Sequence, residues 1–565
     1  MRKPKEIIDK FLNKRIVPTP LTLQSLFNYS VAHCAHLPSI AFVGSEPLTY
    51  AELGKKVDNI AGMLFAAGLR QGDKVAILSH NMPNWVIAYF AIVSSGLVAV
   101  PVLPDFSRHE VQGVLRHSET KALFISEKQI PKIKNSHFPN IEYSVKLDDF
   151  SVLKASTVAT LTDSYVQPTI NEDDLAALIY TSGTTGRSKG VMLTHKNITW
   201  NAAQCAQFHQ IDSSDVFLSF LPLSHTYENT IGMIYPIMYG ASIFYLEKPP
   251  TPAALLPALE KVRPTLMCSV PLIMEKIYKS QVQGKFTKNN IIRSIYKTPF
   301  FRVIIHRIAG KKLYKIFGGR LKFFGIGGSK LDSRVERFLA EAKFPYAIGY
   351  GLTETSPLIA GAGVGKTRLQ STGIVLQGVD IKIVDKNKKG VGELWTKGPN
   401  VMQGYYKNPE LTAEVLTEDG WLKTGDLAYL SSKGLIFIKG RSKNTIIGAN
   451  GENIYPEDIE SVINNQEFVL ESLVIEENGL LVAKVLPNLE ELEKHIANFK
   501  ANYENSIERY HIWKENIKRE INMRLSKFSQ IKRIDIVEQP FEKTASLKIK
   551  RFLYTKSKSA SKQKS

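Results

Sequence analysis

A chain of 565 residues is longer than one hydrophobic core spans, which excludes a single small domain and implies two or three. Its 44% hydrophobic and 22% charged residues are the balance of a soluble globular protein, and three scattered cysteines, Cys34, Cys205 and Cys268, make no metal spacing and read as reduced thiols of a cytoplasmic protein. The formal charge of +20 is unevenly spread and directs attention to anionic partners.

The chain opens Met1-Arg2-Lys3-Pro4-Lys5-Glu6 with no apolar secretory core, and residues 1–30 read as a helical lead-in. Ile40–Val43 reads as a strand. Thr49, with Glu52 three residues on, reads as the N-cap of a helix that runs to Ala67 and stops at Gly68. Lys74–Ser79, Leu97–Leu103 and Lys121–Ser126 read as strands, with helices at Asn84–Val93 and Glu110–His117. This alternation predicts a layered α/β domain with a mainly parallel sheet, continuing to about residue 430. Val75–Pro104 lacks Asp, Glu, Lys and Arg, but Asn81, Pro83, Asn84 and Ser94-Ser95-Gly96 divide it into pieces too short to cross a bilayer.

Leu175–Ile179 reads as a buried strand leading into Tyr180-Thr181-Ser182-Gly183-Thr184-Thr185-Gly186-Arg187-Ser188-Lys189-Gly190. That turn carries five aliphatic hydroxyls, three glycines and two cations, with no acid. Glycine lets backbone N–H groups converge on an anion, and hydroxyls and Lys189 add donors, so the loop suits phosphate. The G-x-x-x-x-G-K-[ST] pattern of the P-loop is not met, because Gly183 and Gly186 are three apart and Gly190 follows Lys189.

Lys276–Leu331 contains no acidic residue. Within residues 285–317, Arg302, Arg307, Lys311, Lys312 and Lys315 alternate with Phe300, Phe301, Ile304, Ile305 and Ile308. A basic aromatic helix suits an anionic membrane surface, and the same pattern fits a helix packed on the core with a solvated basic face. No nucleic-acid recognition motif accompanies the charge. Near Gly440 the texture changes, giving a boundary at Arg441–Asn444, then a short α/β pattern and a charged helical stretch from Leu489 to Ser526. The expected division is 1–440, 441–553 and a basic disordered tail at 554–565.

Five segments recur in one order: Tyr180–Gly190; Leu221-Pro222-Leu223-Ser224-His225-Thr226-Tyr227-Glu228; Gly349-Tyr350-Gly351-Leu352-Thr353-Glu354-Thr355-Ser356-Pro357; Trp421–Leu427 leading to Gly440–Asn444; and Pro540–Arg551. Together they resemble the adenylate-forming (AMP-binding) superfamily, and within it the long-chain fatty-acid–CoA ligases. The resemblance implies an α/β fold: a large N-terminal domain of layered sheets and helices plus a small mobile α+β C-terminal domain. It implies an acid–thiol ligase that uses ATP, Mg²⁺ and CoA to activate a fatty acid through an acyl-adenylate.

By the same resemblance, Thr181, Ser182, Gly183, Thr184, Thr185, Gly186, Lys189, Gly328, Ser329, Tyr350, Gly351, Thr353, Asp426, Arg441 and Lys548 bind ATP. Glu354 and Thr184 hold Mg²⁺, Lys548 is the catalytic lysine, Asp426 takes the ribose hydroxyls and Tyr350 stacks on adenine. His225 either sits near the carboxylate or gates the acyl pocket, and a buried structural histidine fits the same position. Lys443 maps to the hinge, and Gly451 to the loop lining the CoA tunnel. The chain departs from the family at Asn444, where many members have Asp, and at Leu547, where Gly is common. Two rival readings share these residues: an acyl-carrier-protein acceptor in place of CoA, and a non-catalytic lipid-binding adaptor. The expected place is the cytoplasm, peripheral on the inner face of the membrane.

Overall fold

The computed structural model describes residues 17–155, 165–182, 188–283, 296, 298–447, 452–497, 506–526, 529–544 and 549–555. Two large mixed sheets organise the chain up to Val375, and the later strand Gly404–Tyr405 joins one of them. One has eight strands, in the order Gly404–Tyr405, Ser188–Thr194, Leu175–Ser182, Val98–Val102, Lys74–Leu78, Ala122–Ile125, Tyr143–Lys146, Val152–Ala155, parallel through its centre. The other has nine, in the order Ile374–Val375, Leu358–Ala362, Tyr346–Gly351, Phe323–Ile326, Leu266–Ser269, Val216–Ser219, Ser242–Tyr245, Pro38–Phe42, Leu48–Thr49. Strands near the middle of both are buried on both faces, which is why they read as apolar runs rather than alternations.

Helix Pro83–Ser94 explains the uncharged stretch. Every residue from Trp85 to Ser94 is buried, and the helix contacts Lys74–Leu78 and Val98–Val102 of one sheet and Pro38–Phe42 of the other. Phe90 stacks on Phe27 at 4.5 Å and Trp85 on Tyr89 at 5.3 Å. A helix apolar all round belongs between layers, and each such large side chain contributes about 1.5–3 kcal/mol on burial. No described helix is long and apolar enough to cross a membrane. The expected capping box is present: Thr49 Oγ1 accepts from Glu52 N, and the Glu52 carboxylate accepts from Thr49 N at 2.8 Å. Gly68 ends that helix with φ +88°.

The alternation does not continue to residue 430. From Asp380 the chain forms an antiparallel sheet ordered Asp380–Val384, Gly392–Lys397, Leu422–Leu430, Ile436–Arg441. The cause is loop length: the turn at 431–435, with Gly434 at φ +72°, is too short for a parallel crossover, which needs a dozen residues or more. After Arg441 comes a 3-10 turn, Ser442–Asn444, and then a smaller unit. Its three-stranded sheet runs Val469–Glu477, Leu480–Pro487, Arg533–Ile536, with the hairpin turned by Asn478 and Gly479, both at positive φ. Helices Pro456–Asn464 and Ser506–Asn522 contribute Ile459, Ile463, Ile517 and Ile521 to a separate core. Within the charged stretch, the described residues Leu489–Ala497 and Ser506–Asn522 are helical, as expected.

Candidate nucleotide and acyl cleft

Leu175–Ser182 and Ser188–Thr194 pair antiparallel up to Thr181↔Lys189 and Ser182↔Ser188. The expected phosphate loop therefore joins two adjacent strands. Gly183, Thr184, Thr185 and Gly186 lie outside the described residues, as do Lys548, Leu547 and Gly451. Gly404–Tyr405 adds to the outer strand through Tyr405↔Val191. That pairing sets the Tyr405 ring centroid 5.0 Å from Lys189 Nζ, and Tyr405 Oη donates to Glu354 Oε1 at 2.8 Å. Burial holds the Lys189 ammonium below its usual pKa, with the Glu354 charge opposing the shift. Burial, then the Glu354 charge, raise the Tyr405 phenol, which stays a neutral donor.

Glu354 is aimed by a tightly bonded turn. Thr353–Thr355 is a single 3-10 turn, Ser356 is left-handed at φ +66°, and Thr355 Oγ1 donates to Pro357 O at 2.6 Å. Asn201 Nδ2 reaches Leu358 O at 2.8 Å and Asn201 Oδ1 accepts from Leu358 N at 3.1 Å. Met402 N donates to Glu354 O at 2.9 Å. At Gly351 a Cβ would lie 1.7 Å from Pro357 O, so only glycine fits this close approach.

Across the cleft, Asp426 and Arg441 sit opposite each other on neighbouring strands. The buried Asp426 carboxylate takes Arg441 Nε at 2.7 Å on Oδ1 and Tyr350 Oη at 2.7 Å on Oδ2. Arg441 Nη1 also donates to Thr424 O at 3.2 Å. The Asp426 charge raises the Arg441 pKa, while burial followed by that charge pushes the Tyr350 phenol well above its usual value. The result is a fixed anion with a permanent cation and a neutral donor on its two oxygens.

A cleft of ≈ 2160 Å³ brings most of the candidates together: Thr181, Lys189, His225, Gly328, Ser329, Tyr350, Gly351, Thr353, Glu354, Asp426, Arg441 and Lys443 all line it. Gly328, at φ +91°, turns the chain after Phe323–Ile326. His225 Nδ1 accepts from Tyr227 N at 3.2 Å. The smaller unit contributes Glu457, Glu460, Thr544, Ile549 and Arg551 to the same cleft. Arg551, which frames the expected catalytic lysine, anchors its loop to the sheet: it donates to Val474 O at 3.2 Å and pairs with Glu460. Asn444 Nδ2 donates to Glu457 Oε1 at 2.6 Å, a bond that an Asp at this position would turn into carboxylate repulsion.

Sequence reasoning missed Tyr405 and Glu228. Tyr405 in Gly404-Tyr405-Tyr406 carries no local signal, because its role comes from strand pairing. Glu228 is 1% exposed, accepts from Ser219 Oγ at 2.6 Å, and burial pushes its carboxyl up to about 8. The other oxygen has no hydrogen-bond partner. Behind Tyr227, which lines the cleft, lies an apolar cavity walled by Phe208, Ile231, Phe323, Gly325, Leu358 and Gly361. Among the described residues no group of three or more His, Cys, Asp or Glu is arranged to hold a metal ion by itself.

A cleft with Lys189 and Glu354 on one wall and the Asp426–Arg441 clamp on the other is the site of an adenylate-forming ligase. The chain belongs to the AMP-binding enzyme family, whose sequence model matches residues 30–406. It is 30% identical over 543 residues to a chloroplastic long-chain-fatty-acid–[acyl-carrier-protein] ligase of Arabidopsis thaliana, covering 79% of this chain and 73% of that one. It is 29% identical to a long-chain-fatty-acid–CoA ligase of Bacillus subtilis (80% and 82%) and 29% identical to one of Rattus norvegicus (79% and 74%). Among solved structures it is similar in fold to ATP-bound MatB from Rhodopseudomonas palustris, with a TM-score of 0.74, 24% identity and coverage of 94% and 98%. It also resembles O-succinylbenzoate coenzyme A synthetase of Bacillus subtilis in complex with ATP and magnesium ion, with a TM-score of 0.72, 23% identity and coverage of 93% and 98%.

Proposed function

We propose that this protein is a long-chain fatty-acid–CoA ligase. In the first half-reaction a carboxylate oxygen attacks the α-phosphorus of ATP, the bond to the β-phosphate breaks and pyrophosphate leaves. In the second, the CoA sulfur attacks the acyl carbonyl, the bond to the phosphate oxygen breaks and AMP leaves. The observation that carries the reading is the Tyr350–Asp426–Arg441 clamp facing the Lys189–Tyr405–Glu354 row across one cleft. The clamp suits ribose hydroxyls, with Asp426 as acceptor, while the Tyr350 ring offers its face to adenine. The hairpin of Thr181–Lys189, with its glycines and the hydroxyls of Ser182, Thr184 and Thr185, suits the phosphates, and Gly328, Ser329, Gly351 and Thr353 complete the nucleotide wall.

The donor set fits Mg²⁺, which takes one or two carboxylates plus phosphate oxygens and water rather than an all-protein cage. Glu354 with Thr184 would hold it, and it would neutralise phosphate charge. Lys548 brings a cation to the reacting phosphoryl group, since positioning and electrostatics are the catalysis there. The apolar cavity behind Tyr227 supports an apolar substrate group, and we place His225, which lines the large cleft, near the carboxylate of that substrate. We take residues 1–440 as the adenylation domain, 441–553 as a mobile domain pivoting at Lys443, and 554–565 as a tail; Gly451 then faces the pantetheine arm of CoA. The same reading puts the enzyme in the cytoplasm, peripheral on the inner face of the membrane.

The carrier-protein ligase of Arabidopsis thaliana among the relatives favours one second reading, in which the thiol belongs to an acyl carrier protein. The test is AMP release across acids from acetate to oleate, with CoA and a carrier protein as competing acceptors. The expected result is CoA-dependent turnover that grows with chain length. Turnover with carrier protein alone would transfer the assignment to the second reading, and no AMP from any acid would end both.

A further inference from the structure

Helix Pro299–Ile316 has two faces with different neighbours. The inward face carries Arg302, His306, Gly310 and Leu313. Arg302 forms a paired contact with Glu341 at 2.9–3.3 Å, His306 Nδ1 lies 2.7 Å from Glu341 Oε2, and a Cβ on Gly310 would sit 2.5 Å from that of Ala342. This face is therefore seated on helix Ser333–Glu341 and the turn after it, and Arg302 belongs to it rather than to the solvent face.

The outward face is apolar at its start. Phe300 is 69% exposed, Phe301 48%, Ile304 41% and Ile308 55%. A spacing of 300, 304 and 308 keeps these on one side of a helix. Arg307, Lys311, Lys312 and Lys315 continue the same side toward the C-terminus and are all exposed. Among the described residues no acid pairs with any of the four, and Glu341 is engaged on the opposite face.

We propose that this outward face docks on an anionic lipid surface, with the two phenylalanines and two isoleucines entering the headgroup–acyl boundary and the four cations lying over the headgroups. Charge complementarity selects the occupant: an aromatic and aliphatic end followed by an unopposed basic end matches a bilayer surface, in which one layer is apolar and the next negative. The surface rests on the proposed reading only for its purpose, since a long-chain acid partitions into bilayers and an enzyme seated there meets it directly.

The test is co-sedimentation of the full-length protein with phosphatidylcholine vesicles with and without phosphatidylglycerol, beside AMP release from water-soluble hexanoate. The wild type is expected to pellet with the anionic vesicles and to be released by salt. Phe300→Ser/Ile304→Ser/Ile308→Ser and Lys311→Glu/Lys315→Glu should each weaken binding tenfold or more, since one surface cation alone is worth about fivefold. The charge-matched control Lys386→Glu/Lys388→Glu, on the exposed 385–390 turn, should bind as wild type. Equal loss in control and helix variants, or no loss in either helix variant, overturns the proposal. So does a wild type that ignores vesicles but dimerises through this face, shown by the serine variant sedimenting as a smaller species. Hexanoate activity preserved in every variant shows that folding is intact; absence of activity in the wild type counts against the proposed reaction and leaves the vesicle result to be read separately.

Discussion

Asp426 has both carboxylate oxygens engaged, by Arg441 and by Tyr350, and this makes it sensitive to isosteric change. In Asp426→Asn one oxygen becomes an NH₂: facing the guanidinium it sets donor against donor, and facing the Tyr350 phenol it reverses that bond and leaves Arg441 with a neutral amide oxygen in place of its anion. A hydrogen bond to a charged group is worth about 1.5–3 kcal/mol, so the KM for ATP should rise roughly 10- to 150-fold in pyrophosphate exchange. An unchanged KM would remove Asp426 from the nucleotide site. Glu228 makes a different demand. Its carboxyl titrates near 8 in the folded protein against an ordinary value of 4.5. Between those values the native state holds a proton that the unfolded state has lost, so stability falls as pH rises through that window, by an amount on the order of a few kcal/mol. Glu228→Gln stays neutral and should flatten the fall: wild-type Tm drops more steeply than the variant's from pH 5 to 8. Parallel Tm curves would mean that Glu228 does not retain its proton.

Helix His195–Gln204 shows how an element conveys a local signal to the site. Thr194 caps it, with Asn197 returning the contact, and two turns later Asn201 braces Leu358 beside the Glu354 turn. Thr194→Ala should cost about 1 kcal/mol, seen as a lowered Tm, and should reduce turnover at a given temperature before the fold is lost. A variant melting as wild type would show that the cap contributes nothing here. The capping boxes at Thr49 and Thr194 need only residues three apart, and the first was readable in the chain as written. The antiparallel sheet after Asp380 was not, because an apolar strand has the same period whichever way its neighbour runs.

At the scale of the whole molecule, the cleft is shared by two units joined through Ser442–Asn444. Thr544 and Ile549, which bracket Lys548 in the chain, both line it. If the small unit turns about Lys443 between half-reactions, Lys443→Pro should restrict the rotation. Pyrophosphate exchange is then expected to persist while CoA-dependent acyl transfer drops at least tenfold. Lys548→Ala should do the reverse, abolishing adenylation and sparing transfer from preformed adenylate. Equal losses in both steps for both variants would rule out the pivot.

Chemistry held within a few neighbouring residues was determined by the sequence alone: the hydroxyl-and-glycine run before Lys189, the helix caps, the uncharged Val75–Pro104 stretch divided into pieces too short to span a bilayer, and the family that five ordered segments announce. Tertiary structure decided which of those residues meet. Tyr350, Asp426 and Arg441 come from distant segments, Tyr405 reaches Glu354 only because its strand is added beside Ser188–Thr194, and Arg302 is drawn inward by Glu341. The reason is physical. Backbone preference and side-chain type act over a few residues, whereas charge pairing, desolvation and the direction of a strand's neighbour exist only after packing has brought remote groups into the same low-dielectric space.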